Sequence, residues 1–363
     1  MKIILSLILF VLAQTGFAQY RYDNVTFKTV YWDELCKTLK QNPEALILDV
    51  RSKGEHYDTS TSKTLNIGHL KGAMNININD VAGRLKEIES YKNKPVFVHC
   101  SHSQRSRRVS KMLADSGFVN VFNINGGVSN LRMFGFKEEC DLLTSNLPYQ
   151  IISPKALAQN KSVEYFILDV RPDSSFKGIA LQERKNAYGK FRNAINVPLS
   201  TLEQNLSLIP KGKNILIVDE TGFESVTAAE LLNPKGYSKL TVLFNGLDGF
   251  HTEVPEREKT MWSSHVSYHT INAEGFVELM KKGNTTAIDI RPADDFNNIS
   301  KESFRNIGRI KGAINIPVAD WDKQFASLPA KKENPIALYS FGGGPVELFE
   351  LGKKLSAQGY KNV

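Results

Sequence analysis

The stretch Cys100-Ser101-His102-Ser103-Gln104-Arg105-Ser106 combines a nucleophile with a cation, and Arg107 and Arg108 follow directly. Positive charge favours thiolate over thiol, and the thiolate is the form that attacks. An apolar run, Pro95-Val-Phe-Val-His99, precedes the cysteine, and a helical pattern through Val109, Met112 and Leu113 follows it. A buried strand ending in a loop that opens a helix places that loop where open α/β sheets bind ligands. Backbone N–H groups at the helix start carry partial positive charge, and a loop curled around the sulfur would aim several of them at it. Cys100 is therefore expected to be a nucleophile inside a receptor for a small anion. Ser101, His102, Ser103, Gln104, Arg105 and Ser106 are the candidate substrate contacts. His99 is expected to pack on the strand, and Arg107 and Arg108 to form a solvated face that steers anions.

The elements that must position this loop occur three times. Ile47-Leu-Asp49-Val-Arg51, Ile167-Leu-Asp169-Val-Arg171 and Ala287-Ile-Asp289-Ile-Arg291 recur at intervals of 120 residues. Gly68-His-Leu-Lys-Gly72-Ala73-Met-Asn75 returns as Gly189-Lys-Phe-Arg-Asn193-Ala194-Ile-Asn196 and as Gly308-Arg-Ile-Lys-Gly312-Ala313-Ile-Asn315. A period of that length is a domain and not a solenoid repeat. Helical patterns such as Trp32/Leu35/Leu39 alternate with continuous apolar runs such as Ala45–Leu48. Such runs indicate strands buried on both faces, hence a mainly parallel α/β sheet with helices on both sides. The expected boundaries are 20–148, 149–262 and 265–363, with breaks near Pro148 and between Met261 and His265. Units one and two continue into another apolar strand and a glycine (Val121–Gly127, Leu240–Gly246). Unit three stops at Val363 before that strand, and its C-terminal part is expected to be incomplete.

Lys2, an apolar run from Ile3 to Ala13, and small residues at Gly16 and Ala18 match a secretory leader cleaved after Ala18. Its apolar run is too short to span a bilayer, so residues 1–18 predict export, periplasmic or secreted, without stable membrane insertion after cleavage. Composition is that of a soluble globular protein, with 41% hydrophobic and 23% charged residues. Loss of Lys2 leaves 45 Lys and Arg against 38 Asp and Glu, a spread excess of +7 that argues against nucleic acid as a partner. Three cysteines are too few for a disulfide scaffold, and an odd number leaves at least one thiol free unless chains cross-link. Cys36 falls in the Trp32/Leu35/Leu39 pattern and is expected to pack as a small apolar residue, although pairing with Cys140 stays open. No His/Cys cluster has ligand spacing, so neither a metal nor another cofactor is expected.

Asp49-Val-Arg51, Gly68-His-Leu-Lys-Gly72-Ala73, an apolar strand, Cys100, four residues and Arg105-Ser106, then Gly117-Phe118 and Gly126-Gly127 together resemble the rhodanese-like family. The resemblance spans about Val25 to Cys140, and in weaker form units two and three. It implies a sulfurtransferase in which Cys100 takes a sulfane sulfur from an anionic, thiosulfate-like donor. Loop amides would cradle the persulfide, which then passes to a thiol or cyanide-type acceptor, with Arg105 helping to bind the donor. Family members resembling phosphatases or arsenate reductases have five residues between Cys and Arg; the four here favour sulfur. The family loop usually has Gly where this chain has Ser103, a position that asks for positive φ.

The other two units act as internal controls. Asp219-Glu220 stands in unit two where unit one has Cys100-Ser101, and unit three reads Ser340-Phe-Gly342-Gly343-Gly344-Pro345. A carboxylate cannot carry sulfur, and a serine without a base is a poor nucleophile. Units two and three are expected to be inactive and to recognise a protein partner or hold unit one in place. Both keep Asp-x-Arg and the glycine-alanine stretch, so Asp49, Arg51, Gly68 and Gly72 read as structural. The rival function is a non-catalytic binding or scaffold protein in which Cys100 is vestigial or redox-sensing.

Overall fold

Strands form where short apolar runs lack polar alternation, because only burial on both faces suits such a run. In the computed structural model, which describes residues 26–135, 140–160, 162–325, 328–342 and 344–363, each unit builds its own parallel sheet. The leader expected at 1–18 lies outside the described residues. Unit one contains β1 (Lys28–Val30), β2 (Leu46–Asp49), β3 (Met74–Asn75), β4 (Pro95–His99) and β5 (Asn120–Ile124), ordered β1-β5-β4-β2-β3. Alternation along β4 sends Val96 and Val98 to one core and Phe97 to the other. Helix α1 (Trp32–Lys40) and helix α4 (Gly127–Phe134) cover the Phe97 face through Leu35 and Leu131. Helix α3 (Gln104–Asp115) covers the other face through Val109 and Leu113. Helices thus lie on both faces, as the apolar runs require.

Unit two repeats the plan with β6 (Gln150–Ile152), β7 (Phe166–Asp169), β8 (Ile195–Asn196), β9 (Ile215–Val218) and β10 (Leu240–Leu243), ordered β8-β7-β9-β10-β6. Unit three has a three-stranded sheet, β12-β11-β13, from β11 (Thr286–Asp289), β12 (Ile314–Asn315) and β13 (Ile336–Tyr339). The last residues bond to this unit: Ile336 N–H donates to Asn362 O (2.9 Å) and His269 N–H to Val363 O (2.7 Å).

One expectation is corrected. Cys36 is buried in α1 as its apolar neighbours require, but it does not pack as a lone thiol: it forms a disulfide with Cys140, the Cα atoms 6.1 Å apart across 104 residues of chain. The pairing brings residue 140, near the end of unit one, back onto α1, a proximity that local periodicity does not encode. Cys100 is left as the free cysteine. Adjacent units touch through side chains: Lys63 pairs with Glu230, while Lys353 Nζ (2.8 Å) and Tyr268 Oη (3.1 Å) donate to Glu183. Among the described residues no helix is long and apolar enough to cross a membrane.

Candidate active site

The Cys100 loop hangs between the end of β4 and the start of α3, and its shape is set from three sides. From below, α4 clamps it: Val128 N–H donates to Cys100 O and Ser129 N–H to Ser101 O, both at 3.0 Å. This close approach explains Gly127, where a Cβ would run into the Cys100 carbonyl oxygen. Within the loop, Ser103 adopts φ 78°, the left-handed region the family's glycine would occupy. Its hydroxyl offsets the strain by donating to Ile124 O (3.2 Å) and accepting from Gly126 N–H (2.5 Å). The loop therefore closes without the glycine.

Cys100 is 1% exposed, and its Sγ donates to Ser106 Oγ at 3.6 Å. Ser106 Oγ lies 2.7 Å from Asn123 Oδ1, to which it donates. From the third side comes a residue that sequence reasoning missed. Glu55, in helix α2 (Lys53–His56), accepts from both Nη1 and Nη2 of Arg105 at 2.6 Å, and Nη2 also donates to Ser101 Oγ (2.9 Å). Hydrogen bonds donated to Glu55 raise the Arg105 pKa against the effect of burial. Burial would push the Glu55 carboxyl up, yet Arg105 and the Ser52 amide hold it below its ordinary value. The local signal for Glu55 was a Ser52-x-x-Glu55 capping box, which announces a helix start and not a partner fifty residues away.

Of the expected contacts, Ser101, Ser103 and Ser106 are buried around Cys100 and Arg105 is partly buried beside it. Gln104 and His102 are exposed, with His102 Nε2 lying 3.2 Å from Ser129 Oγ. Arg107 and Arg108 are exposed on α3.

Beneath the loop lies a framework common to all three units. Arg51 Nη2 donates to Asp49 Oδ2 and to Gly68 O, both at 2.8 Å; the equivalent distances are 2.7 and 2.9 Å for Arg171, and 2.6 and 2.8 Å for Arg291. Asn75, Asn196 and Asn315 each donate through Nδ2 to the carbonyls of that Asp and Arg. These bonds hold the first βα turn to the next strand whatever stands in the loop.

Three histidines distinguish unit one. His56 Nδ1 is 2.9 Å from Asp49 Oδ2, its ring lies 4.0 Å from that of His69, and the fully buried His99 has Nδ1 3.9 Å from Asp49 Oδ1. The corresponding residues are Phe176, Lys190 and Val218 in unit two, and Phe296, Arg309 and Tyr339 in unit three. Burial pushes the His99 pKa down to about 4. Burial also opposes ionisation of Asp49, but His99, His56 and Arg51 outweigh it and hold that carboxyl far below its usual range. Among the described residues no three His, Cys, Asp or Glu side chains are placed to hold a metal ion.

In unit two the same loop holds its own anion. The buried Asp219 carboxylate accepts from Gly222 N–H (2.8 Å), Glu224 N–H (2.9 Å) and Ser225 Oγ (2.8 Å). The clamp is retained, with Leu247 N–H on Asp219 O and Asp248 N–H on Glu220 O (both 2.9 Å), and Gly222 takes φ 89° where unit one has Ser103. Burial raises the Asp219 pKa in spite of those three bonds. In unit three Phe341 follows Ser340 and sits under the guanidinium groups of Arg291 and Arg305, at 5.0 and 5.7 Å. Pro345 stands immediately before helix α5 (Val346–Ala357) and has no N–H to offer an anion.

A family model described as the rhodanese-like domain matches residues 32–133, 153–253 and 272–363. Among curated proteins, the chain is 30% identical over 95 residues to a tRNA uridine(34) hydroxylase of Cytophaga hutchinsonii, covering 25% of this chain and 28% of that protein. It is 31% identical over 104 residues to the uncharacterized protein YqhL of Bacillus subtilis, covering 27% and 74%. With thiosulfate sulfurtransferase GlpE of Shewanella oneidensis it shares 29% identity over 72 residues, 20% of this chain and 69% of that one. The hydroxylase is thus matched over little more than a quarter of its length.

Proposed function

The chain belongs to the rhodanese-like domain family, with three tandem domains, and on that premise we propose that unit one is a sulfurtransferase working through a Cys100 persulfide. The Cys100 thiolate attacks the outer sulfur of a thiosulfate-like donor. The bond between the two donor sulfurs breaks, and sulfite leaves with its electron pair. A thiol or cyanide-type acceptor then attacks the outer sulfur of the persulfide, and Cys100 departs as thiolate. Arg105 and the loop amides favour the anionic donor and the persulfide.

The observation that carries this reading is the Asp219 carboxylate. A carboxylate oxygen and the outer sulfur of a cysteine persulfide both stand two bonds beyond Cβ. Asp219 receives three hydrogen bonds at that distance from a loop of the same length and clamp. The corresponding donors in unit one are the Ser103 and Arg105 amides, joined by the Ser106 hydroxyl once it turns from Asn123 Oδ1. The disulfide between Cys36 and Cys140 supports an exported, oxidising home, in keeping with the leader at residues 1–18. Units two and three, with no nucleophilic thiol, serve to hold unit one or to receive a protein partner.

The test is to incubate the full chain with thiosulfate and with polysulfide and to weigh the protein by mass spectrometry. A gain of one sulfur atom that is lost in Cys100→Ala supports the reading. No gain with either donor sinks it and leaves a binding protein, for which the near-complete burial of Cys100 and the engagement of Arg105 by Glu55 speak.

A further inference from the structure

Neighbouring units dock through one repeated pair of surfaces. The first is a turn that an asparagine brackets in each unit. Asn66, Asn186 and Asn306 accept through Oδ1 from the amides of Ser60 (3.0 Å), Ala180 (2.7 Å) and Ser300 (2.9 Å). Three residues before each asparagine stand Lys63, Glu183 and Ser303. The second surface is the helix after the Cys100-type loop, which ends alike in each unit. There the N–H groups of Phe118, Tyr237 and Tyr360 donate to the carbonyls of Leu113 (3.1 Å), Leu232 (3.4 Å) and Leu355 (3.2 Å). Two residues before each leucine stand Lys111, Glu230 and Lys353. The unit-one turn meets the unit-two helix, Phe223–Leu232, where Lys63 pairs with Glu230. The unit-two turn meets α5 where Glu183 pairs with Lys353 (2.8 Å). The positions are the same and the charges are exchanged, so each turn matches its own helix and repels the other.

The docked turn also reaches the loop. Thr64, Asn66 and Ile67 line a small cavity together with Val226 of the unit-two helix and with Thr221 and Gly222 of the Asp219 loop. Val226 corresponds to Arg107, and Thr221 and Gly222 to His102 and Ser103. A head-to-tail contact leaves the first helix of the series without a turn among the described residues, and that helix is α3, which follows Cys100. The positions that face a turn in unit two are here Arg107 and Lys111, both exposed, with Arg108 exposed beside them. Lys111 pairs with Asp115 (2.6 Å) at the surface, a weak interaction that a docking carboxylate can replace. The face is basic, so the turn that fits it bears carboxylates, as Glu183 does toward Lys353. The unit-three turn of a second copy is a poor match, since Ser303 is uncharged and the adjacent Glu302 is engaged by Arg305.

We propose that the exposed face of α3 docks a thiol-bearing protein through an acidic turn, which brings the partner's thiol to the Cys100 loop beside His102. This rests on the persulfide reading: the partner's thiol attacks the outer sulfur, and Cys100 leaves as thiolate. The probe is the peptide acetyl-Cys-Gly-Gly-Glu-Glu-Leu-Glu-Glu-amide, with glutamine in place of every glutamate as its control and dithiothreitol as a small acceptor. The full chain is loaded with polysulfide, and transfer to each thiol is followed at low ionic strength by mass spectrometry. The acidic peptide should react about fivefold faster than its control, and added salt should remove the difference. Lys111→Glu should lower that ratio by about twofold and leave transfer to dithiothreitol unchanged. Lys111→Glu combined with Arg107→Glu should bring it to about one, whereas Lys361→Glu, exposed in unit three, should keep it. Anisotropy of the acidic peptide labelled with fluorescein decides the surface apart from the chemistry: the double variant should bind it about fivefold more weakly. A chain that never takes up sulfur sinks the sulfurtransferase reading, and the anisotropy still decides the docking surface. The proposal is overturned if the acidic peptide has no advantage, if the double variant retains it, or if Lys361→Glu loses it as fully. A dimer in sedimentation that dissociates in Lys111→Glu would assign the face to a second copy and overturn it as well.

Discussion

Cys100 and Asp219 occupy the same place in two copies of one loop. In both, two amides of the helix after the next strand hold the loop carbonyls, and a residue with positive φ turns the chain. In unit one the side chain at the centre is a short thiol whose Sγ donates to Ser106 Oγ at 3.6 Å. In unit two it is a carboxylate bonded to three donors of its own loop. The backbone of the loop and its clamp are therefore common to both, and what differs is the side chain at the centre. Unit two satisfies its loop donors with a carboxylate of its own, and unit one does not.

The sharpest way to break this comparison is to carry the unit-two solution into unit one. Cys100→Asp should abolish sulfur transfer altogether, while the donors of its loop bond the new carboxylate and keep the fold. A loss of more than about 3 kcal/mol in denaturant unfolding would mean that the two loops are not equivalent. The reciprocal change, Asp219→Ala, leaves two buried amides and a hydroxyl without their partner. It should cost roughly 2 kcal/mol of stability yet leave Cys100 turnover as it was. Turnover falling with Asp219→Ala would show that unit two takes part in the reaction.

The histidines sharpen the contrast in a different variable. His99 titrates near pH 4 in the folded chain against about 6.5 in a free peptide, so the unfolded chain takes up the proton first. Stability owed to neutral His99 is complete above pH 6.5 and is lost as the pH falls from there toward 4, by about 3 kcal/mol at most. His99→Val, which installs the residue that unit two has in Val218, should flatten the fall in melting temperature between pH 7 and pH 5. An unchanged slope would place the acid sensitivity elsewhere. The smallest effect is expected for Ser103→Gly. It relieves a strain of about 1 kcal/mol at φ 78° but removes the bonds to Ile124 O and Gly126 N–H, so stability should move by less than about 1 kcal/mol. A rise in turnover beyond about threefold would mean that the serine holds the loop away from its working shape.

Much of the fold was legible because it rests on local patterns written three times. Continuous apolar runs gave the sheets, and the recurrence of Asp-x-Arg gave the number of units. Retention of that pair beside Asp219 and Ser340 marked it as framework, and its identical bonds in all three units agree. The centre of the site was legible too, since Cys100 to Ser106 is one contiguous loop. Its partners were not. Glu55, Asn123 and Ser129 reach the loop from three other elements, and Cys140 reaches Cys36 across 104 residues. Each is an ordinary residue in its own stretch, and nothing in its local period points to its neighbour.

By itself, the order of residues determined three α/β units, the one loop bearing a thiol, and the two bearing none, because these follow from residue type and short-range spacing. Only the tertiary structure decided that Arg105 is engaged by Glu55, that Ser103 closes the loop through its own hydroxyl, and that Asp219 accepts from three donors of its own loop. Those outcomes turn on distances between segments far apart in the chain, which packing sets and spacing along one strand or helix does not.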